Sequence, residues 1–233
     1  LDGTEQKKKL GANAILAVSI ASCKLGAIES DTPLFQYLGN SKNYQLPIPM
    51  LNIINGGVHA KNNLDIQEFM IRPDKTNSFS EAMRRSFLVI QNLKKMVDTT
   101  NVGDEGGFAP NINFNNEIIE LILESIVETG LKIEDDVVLA LDVASTEFYK
   151  DDKYFLNSEK KILNSDQMIE YLKKLVSNYP IYSIEDGISE DDWEGWKNLT
   201  MEIGNKIQLV GDDLFVTNIE RLKKGIDNNI ANS

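Results

Sequence analysis

The sequence predicts an α/β fold built on a parallel sheet with helices on both faces. Three observations carry this. Apolar, β-branched or Leu-rich runs occur at 137–141, 181–184 and 207–210, and such runs suit strands buried on both faces. Each run is followed by a stretch with helical character. Each also ends in acid: Asp142, Glu185-Asp186 and Asp212-Asp213. In α/β barrels the chemistry sits at the carboxyl ends of the strands, so Asp142, Glu185 and Asp212 are expected to converge there. Several carboxylates cannot share a low-dielectric pocket as anions without a cation. Hard oxygen ligands of this kind suit Mg²⁺.

The chain has 233 residues, enough for one barrel-sized domain or two smaller ones. Its net charge of −12 argues against nucleic acid or an anionic membrane as the main partner. We expect no membrane insertion, because no apolar run reads as long enough to span a bilayer and no signal peptide is evident. Cys23 is the only cysteine, which excludes a disulfide framework; in its apolar segment it reads as a buried core thiol. These features together predict a soluble, cytoplasmic protein.

Residues 1–9 are polar and Lys-rich, hence exposed. Leu10 to Ile28 reads as a helix whose small residues, such as Gly11, Ala14, Ala17 and Ala21, invite close packing, so burial is expected. Pro33 ends it. A short helical turn covers 34–38, and a domain boundary is placed in the polar connection 40–46. Ile48 to Ile54 is a strand beginning among Pro47 and Pro49. It leads into Asn55-Gly56-Gly57-Val58-His59, a loop that holds the only histidine beside two permissive glycines. That placement favours contact with a ligand.

Asp65 to Pro73 is the next strand, with Gln67 and Glu68 where its apolar run begins. Ser78 and Glu81 have capping-box spacing for a helix with Met83, Phe87, Ile90, Leu93 and Val97 inward. Gly103-Asp104-Glu105-Gly106-Gly107 is neither helix nor strand, and its glycines let the backbone hold an acid near a ligand. A helix follows over 116–129, with Ile118, Ile119, Ile122, Ile126 and Val127 inward and Gly130 as its stop. Beyond the Asp142 strand, 148–163 reads as a hairpin around Asp151-Asp152. Ser165 caps a helix that buries Met168, Ile169, Leu172 and Leu175. Trp193 and Trp196 anchor the helix of 191–203, and a last helix after Thr217-Asn218-Ile219-Glu220 turns Leu222 and Ile226 inward. About five parallel strands result, fewer than the eight of a closed barrel, with an apolar edge left bare beyond the Asp212 strand.

Read in order, Asn55-Gly56-Gly57 with His59-Ala60, Gln67-Glu68-Phe69-Met70, Gly103-Asp104-Glu105-Gly106-Gly107, Leu141-Asp142 with Ala144-Ser145, Ile184-Glu185-Asp186 and Gly211-Asp212-Asp213-Leu214 closely resemble the enolase family, in its bacterial type. The resemblance implies a partial TIM-like barrel of about five strands over 41–233. Residues 1–40 then resemble the helical end of the family's α+β N-terminal domain. It implies reversible dehydration of 2-phospho-D-glycerate to phosphoenolpyruvate, in glycolysis and gluconeogenesis, with Mg²⁺ as cofactor. Asp142, Glu185 and Asp212 match the Mg²⁺ ligands. Glu105 matches the general acid with Glu68 beside it, and His59 and Gln67 match substrate contacts, with Glu68, Glu185 and Asp212 also near substrate. A Glu beside another Glu has its pKa raised, which suits an acid that must stay protonated near neutrality.

Gly187 stands where the family usually has Pro, and the segment 95–102 is short. Nothing in 1–233 matches the family's proton-removing Lys, so we expect this stretch alone to be silent as an enzyme. The family implies a homodimer for a full-length protein. It also implies a second location, at the cell surface or secreted, where members bind host proteins such as plasminogen. A further alternative is an acid-sugar dehydratase of the same superfamily, which should lack the Gly103–Gly107 and Asn55–Ala60 motifs present here.

Overall fold

The computed structural model describes residues 2–4, 7–39, 41, 43–99 and 101–233. Parts of the expectations for 1–9, 40–46 and 95–102 therefore lie outside the described residues. The chain divides into two compact units, Leu1–Leu46 and Pro47–Ser233. The first holds α1 (Ala12–Glu29) and α2 (Leu34–Leu38). Helix α1 forms as expected, but only Ala27 in it is buried. Leu16, Val18, Ile20 and Leu25 are exposed, and Cys23 is half-buried rather than a core thiol. Its apolar and small residues are spread around the helix, so no single face gathers them. Contrary to the sequence reading, α1 is long and apolar enough by length and composition to cross a membrane; its glycine, alanine and serine positions had suggested packing instead.

The second unit centres on a five-stranded sheet: β1 (Leu51–Asn55), β2 (Glu68–Pro73), β3 (Val137–Asp142), β7 (Ile181–Glu185) and β8 (Gln208–Val210), side by side in that order. The expected all-parallel arrangement is wrong for its first half. β2 runs antiparallel to both β1 and β3, whereas β3, β7 and β8 are parallel. The cause is the number of long helices in each connection. A loop alone joins β1 to β2, so the chain returns. Two helices, α3 (Phe79–Met96) and α4 (Asn115–Glu128), join β2 to β3 and bring the chain back from the far end. Single long helices, α5 (Ser165–Asn178) and α6 (Trp193–Ile203), join the parallel pairs, as parallel crossovers require. Among the described residues the sheet stays open, and every residue of β3 is buried, as expected for a central strand covered on both faces.

Ser78 caps α3 by accepting from Glu81 N, as the spacing predicted. The buried stripe of α3 is Ala82, Ser86, Val89 and Leu93: Leu93 is inward as expected and Ile90 and Val97 pack partly buried on the core, but in the first half the stripe lies one residue earlier, and Met83 and Phe87 are exposed. Buried Ser86 spends its hydroxyl on the Ala82 carbonyl, which lets a polar residue join the stripe. In α4 the expected Ile positions are buried but Val127 is 57% exposed. Asn164, not Ser165, caps α5 in a complete capping box with Gln167. The 148–163 segment is three short strands, β4 (Tyr149–Lys150), β5 (Lys153–Leu156) and β6 (Lys161–Leu163), with Asp151-Asp152 in the first turn. Trp196 is fully buried, while Trp193 lies under the cations of Arg221 and Lys224. In α7 (Ile219–Asn228) Asn218 is the cap, and Leu222 and Ile226 face outward, contrary to expectation. The outer edge of β8 is not bare: Asn232 and Ser233 donate to Leu209 O, and Gly211 N donates to Ser233 O.

The phase of α4 gives a direct test. Ile122→Ala should cost about 2–5 kcal/mol of unfolding free energy, whereas exposed Val127→Ala should stay within about 0.5 kcal/mol. Urea denaturation of both variants measures the difference; equal losses would mean that the inward face is misplaced.

Candidate active site

The register of the sheet puts the polar strand ends in one row. Asn55 pairs with Glu68, Glu68 with Asp142, and Asp142 with Glu185. Directly paired residues share a face, so these side chains project together. The reversal of β2 is what achieves this, because Glu68 opens its strand while the other three close theirs.

Two clusters stand along the row. In the first, Asp142, Glu185 and Asp186 offer carboxylate oxygens that all lie within 4.8 Å of one another. Asp142 and Asp186 are buried and Glu185 is half-buried. Among the described residues, no Lys or Arg forms an ion pair with any of the three. Burial pushes Asp142 up to about 6, against hydrogen bonds from Gln67 Nε2 at 3.1 Å and Ala144 N at 3.1 Å. Burial, then the charges of Asp142, Asp186 and Asp212, raises Glu185 to about 7. Burial likewise raises Asp186 to about 7, despite hydrogen bonds from the Asp213 and Leu214 amides. A tight all-oxygen set whose charges oppose one another, with no Lys or Arg paired to it among the described residues, fits a hard divalent ion such as Mg²⁺.

Asp212 does not belong to this group in the structure. It is exposed, though close enough to Glu185 for its charge to be felt, and Asp186 completes the group instead. The sequence motif contained Asp186 but gave it no role. Its backbone is left-handed (φ 44°), like that of Ala144 (φ 44°) beyond β3. Neither is glycine, so each strand end holds backbone strain of the kind that gathers at functional sites.

The second cluster is His59, Glu68 and Glu105, again with ligand atoms within 4.8 Å of one another. Three short links bind the glycine-flanked loop to β1: Asn55 N donates to Phe108 O, Phe108 N to Ile53 O, and Gly107 N to Asn55 Oδ1 at 3.0 Å. Glycine is required at 103, where a Cβ would stand 2.6 Å from both Asn55 Cβ and the His59 carbonyl oxygen. Held this way, Glu105 accepts from Asn52 Nδ2 at 3.2 Å and lies 3.2 Å from His59 Nδ1.

Burial first, then the hydrogen bond and charge of Glu105, lifts Glu68 far above the usual carboxylate range. The hydrogen bond from Glu68, followed by His59 and Asn55, holds Glu105 below its ordinary value. Burial of Glu68 and repulsion between the two carboxylates thus favour a proton held within the pair. The sequence takes Glu105 and Glu68 as a pair; in the structure Glu68 is the more buried of the two, while Glu105 has the hydrogen-bond donors. Asn52 and Asn55 were missed in the sequence; only the position of Asn55 before Gly56-Gly57 hinted at its role. Gln67 reaches Asp142 with both its side chain and its amide. Where the family resemblance suggested Pro, a Cβ at Gly187 would come within 3.0 Å of Ile184 and Leu172. A separate cleft of about 560 Å³, lined by Asn62, Asp65, Asn113 and Asn157 among others, contains none of the clustered residues.

The family described as Enolase, C-terminal TIM barrel domain, matches residues 43–233, and the family described as Enolase, N-terminal domain, matches residues 1–38.

The raised carboxyls predict a pH dependence. Asp142, Glu185 and Asp186 bind protons more tightly folded than unfolded, so their contribution is most favourable below about pH 4 and is lost as pH rises toward 7. In chelator, Glu185→Gln should lose less thermal stability between pH 5 and pH 8 than the unsubstituted protein, and Mg²⁺ should stabilise the unsubstituted protein most at the upper pH. Identical pH profiles for the two proteins would contradict this assignment.

Proposed function

We propose that this chain, which belongs to the enolase family, carries the metal-binding and acid-bearing residues of a lyase that interconverts 2-phospho-D-glycerate and phosphoenolpyruvate. The observation that supports this most is the single sheet row in which a cation-seeking carboxylate cluster adjoins a carboxyl pair holding one proton. The reaction removes a proton beside a carboxylate and expels hydroxide from the neighbouring carbon. Both demands match the row. Mg²⁺ held by Asp142, Glu185 and Asp186, with Asp212 at hand, would offset the second negative charge that develops on the substrate carboxylate.

The remaining work falls to the side chains. Glu68 and Glu105 present their shared proton to the departing hydroxyl, which leaves as water. Burial keeps that proton in place at neutral pH, where an ordinary carboxyl has lost it. His59, beside Glu105, offers a donor to the substrate and fixes the orientation of the pair. Gln67 holds Asp142 through its side-chain amide, leaving the other carboxylate oxygen to meet the Ala144 amide. A base must take the substrate proton, so acid pair and metal cluster account for the leaving-group and charge-stabilising parts of the step. The substrate is a small phosphorylated acid, and a homodimer and a cytoplasmic location accompany the reading.

Glu68→Gln tests the acid. It keeps the shape but removes the proton, and should lower phosphoenolpyruvate formation by about 10²–10⁴-fold. The assay follows ultraviolet absorbance of the product in the active protein with Mg²⁺ present, with Mg²⁺ affinity measured alongside. Affinity should change little. Undiminished turnover would remove Glu68 from the mechanism.

A further inference from the structure

We propose that Arg221 is a positioning residue for the metal cluster, closing a hydrogen-bonded ring through the loops that follow β3, β7 and β8. The role rests on the metal reading of Asp142, Glu185 and Asp186 given above. Arg221 lies in the first turn of α7 and its side chain is 25% exposed. Its Nε donates to the Leu214 carbonyl and its Nη2 to the Glu190 carbonyl, while Nη1 stands 3.2 Å from Asp191 Oδ1. The guanidinium is 5.0 Å from the centre of the Trp193 ring. Those two carbonyls belong to different loops: Glu190 follows β7 and Leu214 follows β8.

The same loops are held from within. Asp186 accepts from Asp213 N at 2.8 Å and from Leu214 N at 3.3 Å. Leu214 is therefore gripped at both its N–H, by Asp186, and its C=O, by Arg221. Glu190 N donates to Thr146 Oγ1 at 3.0 Å, and Ser145 N donates to the Asp186 carbonyl at 3.1 Å. The circuit runs from Asp186 through Leu214, Arg221, Glu190, Thr146 and Ser145 back to Asp186. Among the described residues, Arg221 is the one whose side chain joins the second loop to the third from outside the cluster.

This matters because Asp212 sits two residues before Leu214, exposed and outside the 4.8 Å group. The place of its loop decides whether its carboxylate can reach an ion held by Asp142 and Glu185. A guanidinium suits the task, since its rigid fork engages two carbonyls at a fixed separation, whereas an ammonium is a single point. Outer-shell partners that orient metal ligands typically contribute 10–100-fold in affinity.

The test is a Mn²⁺ titration of the full chain followed by electron paramagnetic resonance, with Mg²⁺ as competitor and circular dichroism melts to check folding. Arg221→Met should weaken Mn²⁺ binding about tenfold or more, and Arg221→Lys, which keeps one carbonyl bond, should lose less. Arg84→Met, which removes an exposed arginine paired with Glu81, should bind as the unsubstituted protein does. A folded Arg221→Met protein with unchanged affinity, even at a lower melting temperature, would overturn the positioning role. If Arg221→Met does not fold, unchanged affinity in Arg221→Lys would overturn it. Asp142→Asn separates the two layers. If the unsubstituted protein and Asp142→Asn bind Mn²⁺ equally, or neither binds, the metal reading fails and the role of Arg221 with it.

Discussion

Buried carboxylates that repel one another are the constraint on which the rest of this structure depends. Asp142 and Asp186 lie inside the protein beside Glu185, with no lysine or arginine paired to them among the described residues. Left as anions in a poorly polarisable interior they would strongly oppose folding. The structure meets this in two ways. Gln67, Ala144, Asp213 and Leu214 donate hydrogen bonds to the cluster, and the carboxyls keep their protons to unusually high pH. Neither removes the repulsion at neutral pH, which leaves a place for a divalent ion.

The row that creates this conflict also separates two groups of carboxyls. Moving along the sheet from β3 to β2 crosses from the mutually repelling carboxylates of Asp142 and Glu185 to the coupled Glu68–Glu105 pair. The neighbouring negative charges reach that pair as well, since Asp142 and Glu185 add to the burial and the Glu105 charge that raise Glu68. An ion bound at the first cluster would relax part of that influence, so the two clusters are electrostatically linked. Backbone hydrogen bonds tie the loops that bear them to one another, as Asp104 N to His59 O, and to the sheet, as Val143 N to Glu185 O.

Much of this was legible in the sequence. Apolar runs ending in acid mark β3, β7 and β8, and glycine spacing marks the loops of Glu105 and His59, which the fold brings into contact. Strand direction was not legible from strands alone, because an apolar run reads the same either way. It follows from the paired helices α3 and α4, which return the chain to the opposite end. Helix phase failed where a residue's type misled: Ser86 is buried through a bond to its own helix, and Val127, Leu222 and Ile226 are apolar yet exposed. The different settings of Glu68 and Glu105 depend on relative burial and on donors from Asn52 and Asn55, distant in sequence from Glu105, so spacing alone could not show them.

The most direct measurement is a crystal structure of the protein grown with Mn²⁺ and phased for its anomalous signal. The account predicts one strong peak between the carboxylates of Asp142, Glu185 and Asp186, at oxygen-ligand distances of about 2.0–2.6 Å, with Asp212 drawn toward it. Those carboxylates turned away from a common point, with no peak between them at saturating Mn²⁺, would contradict it.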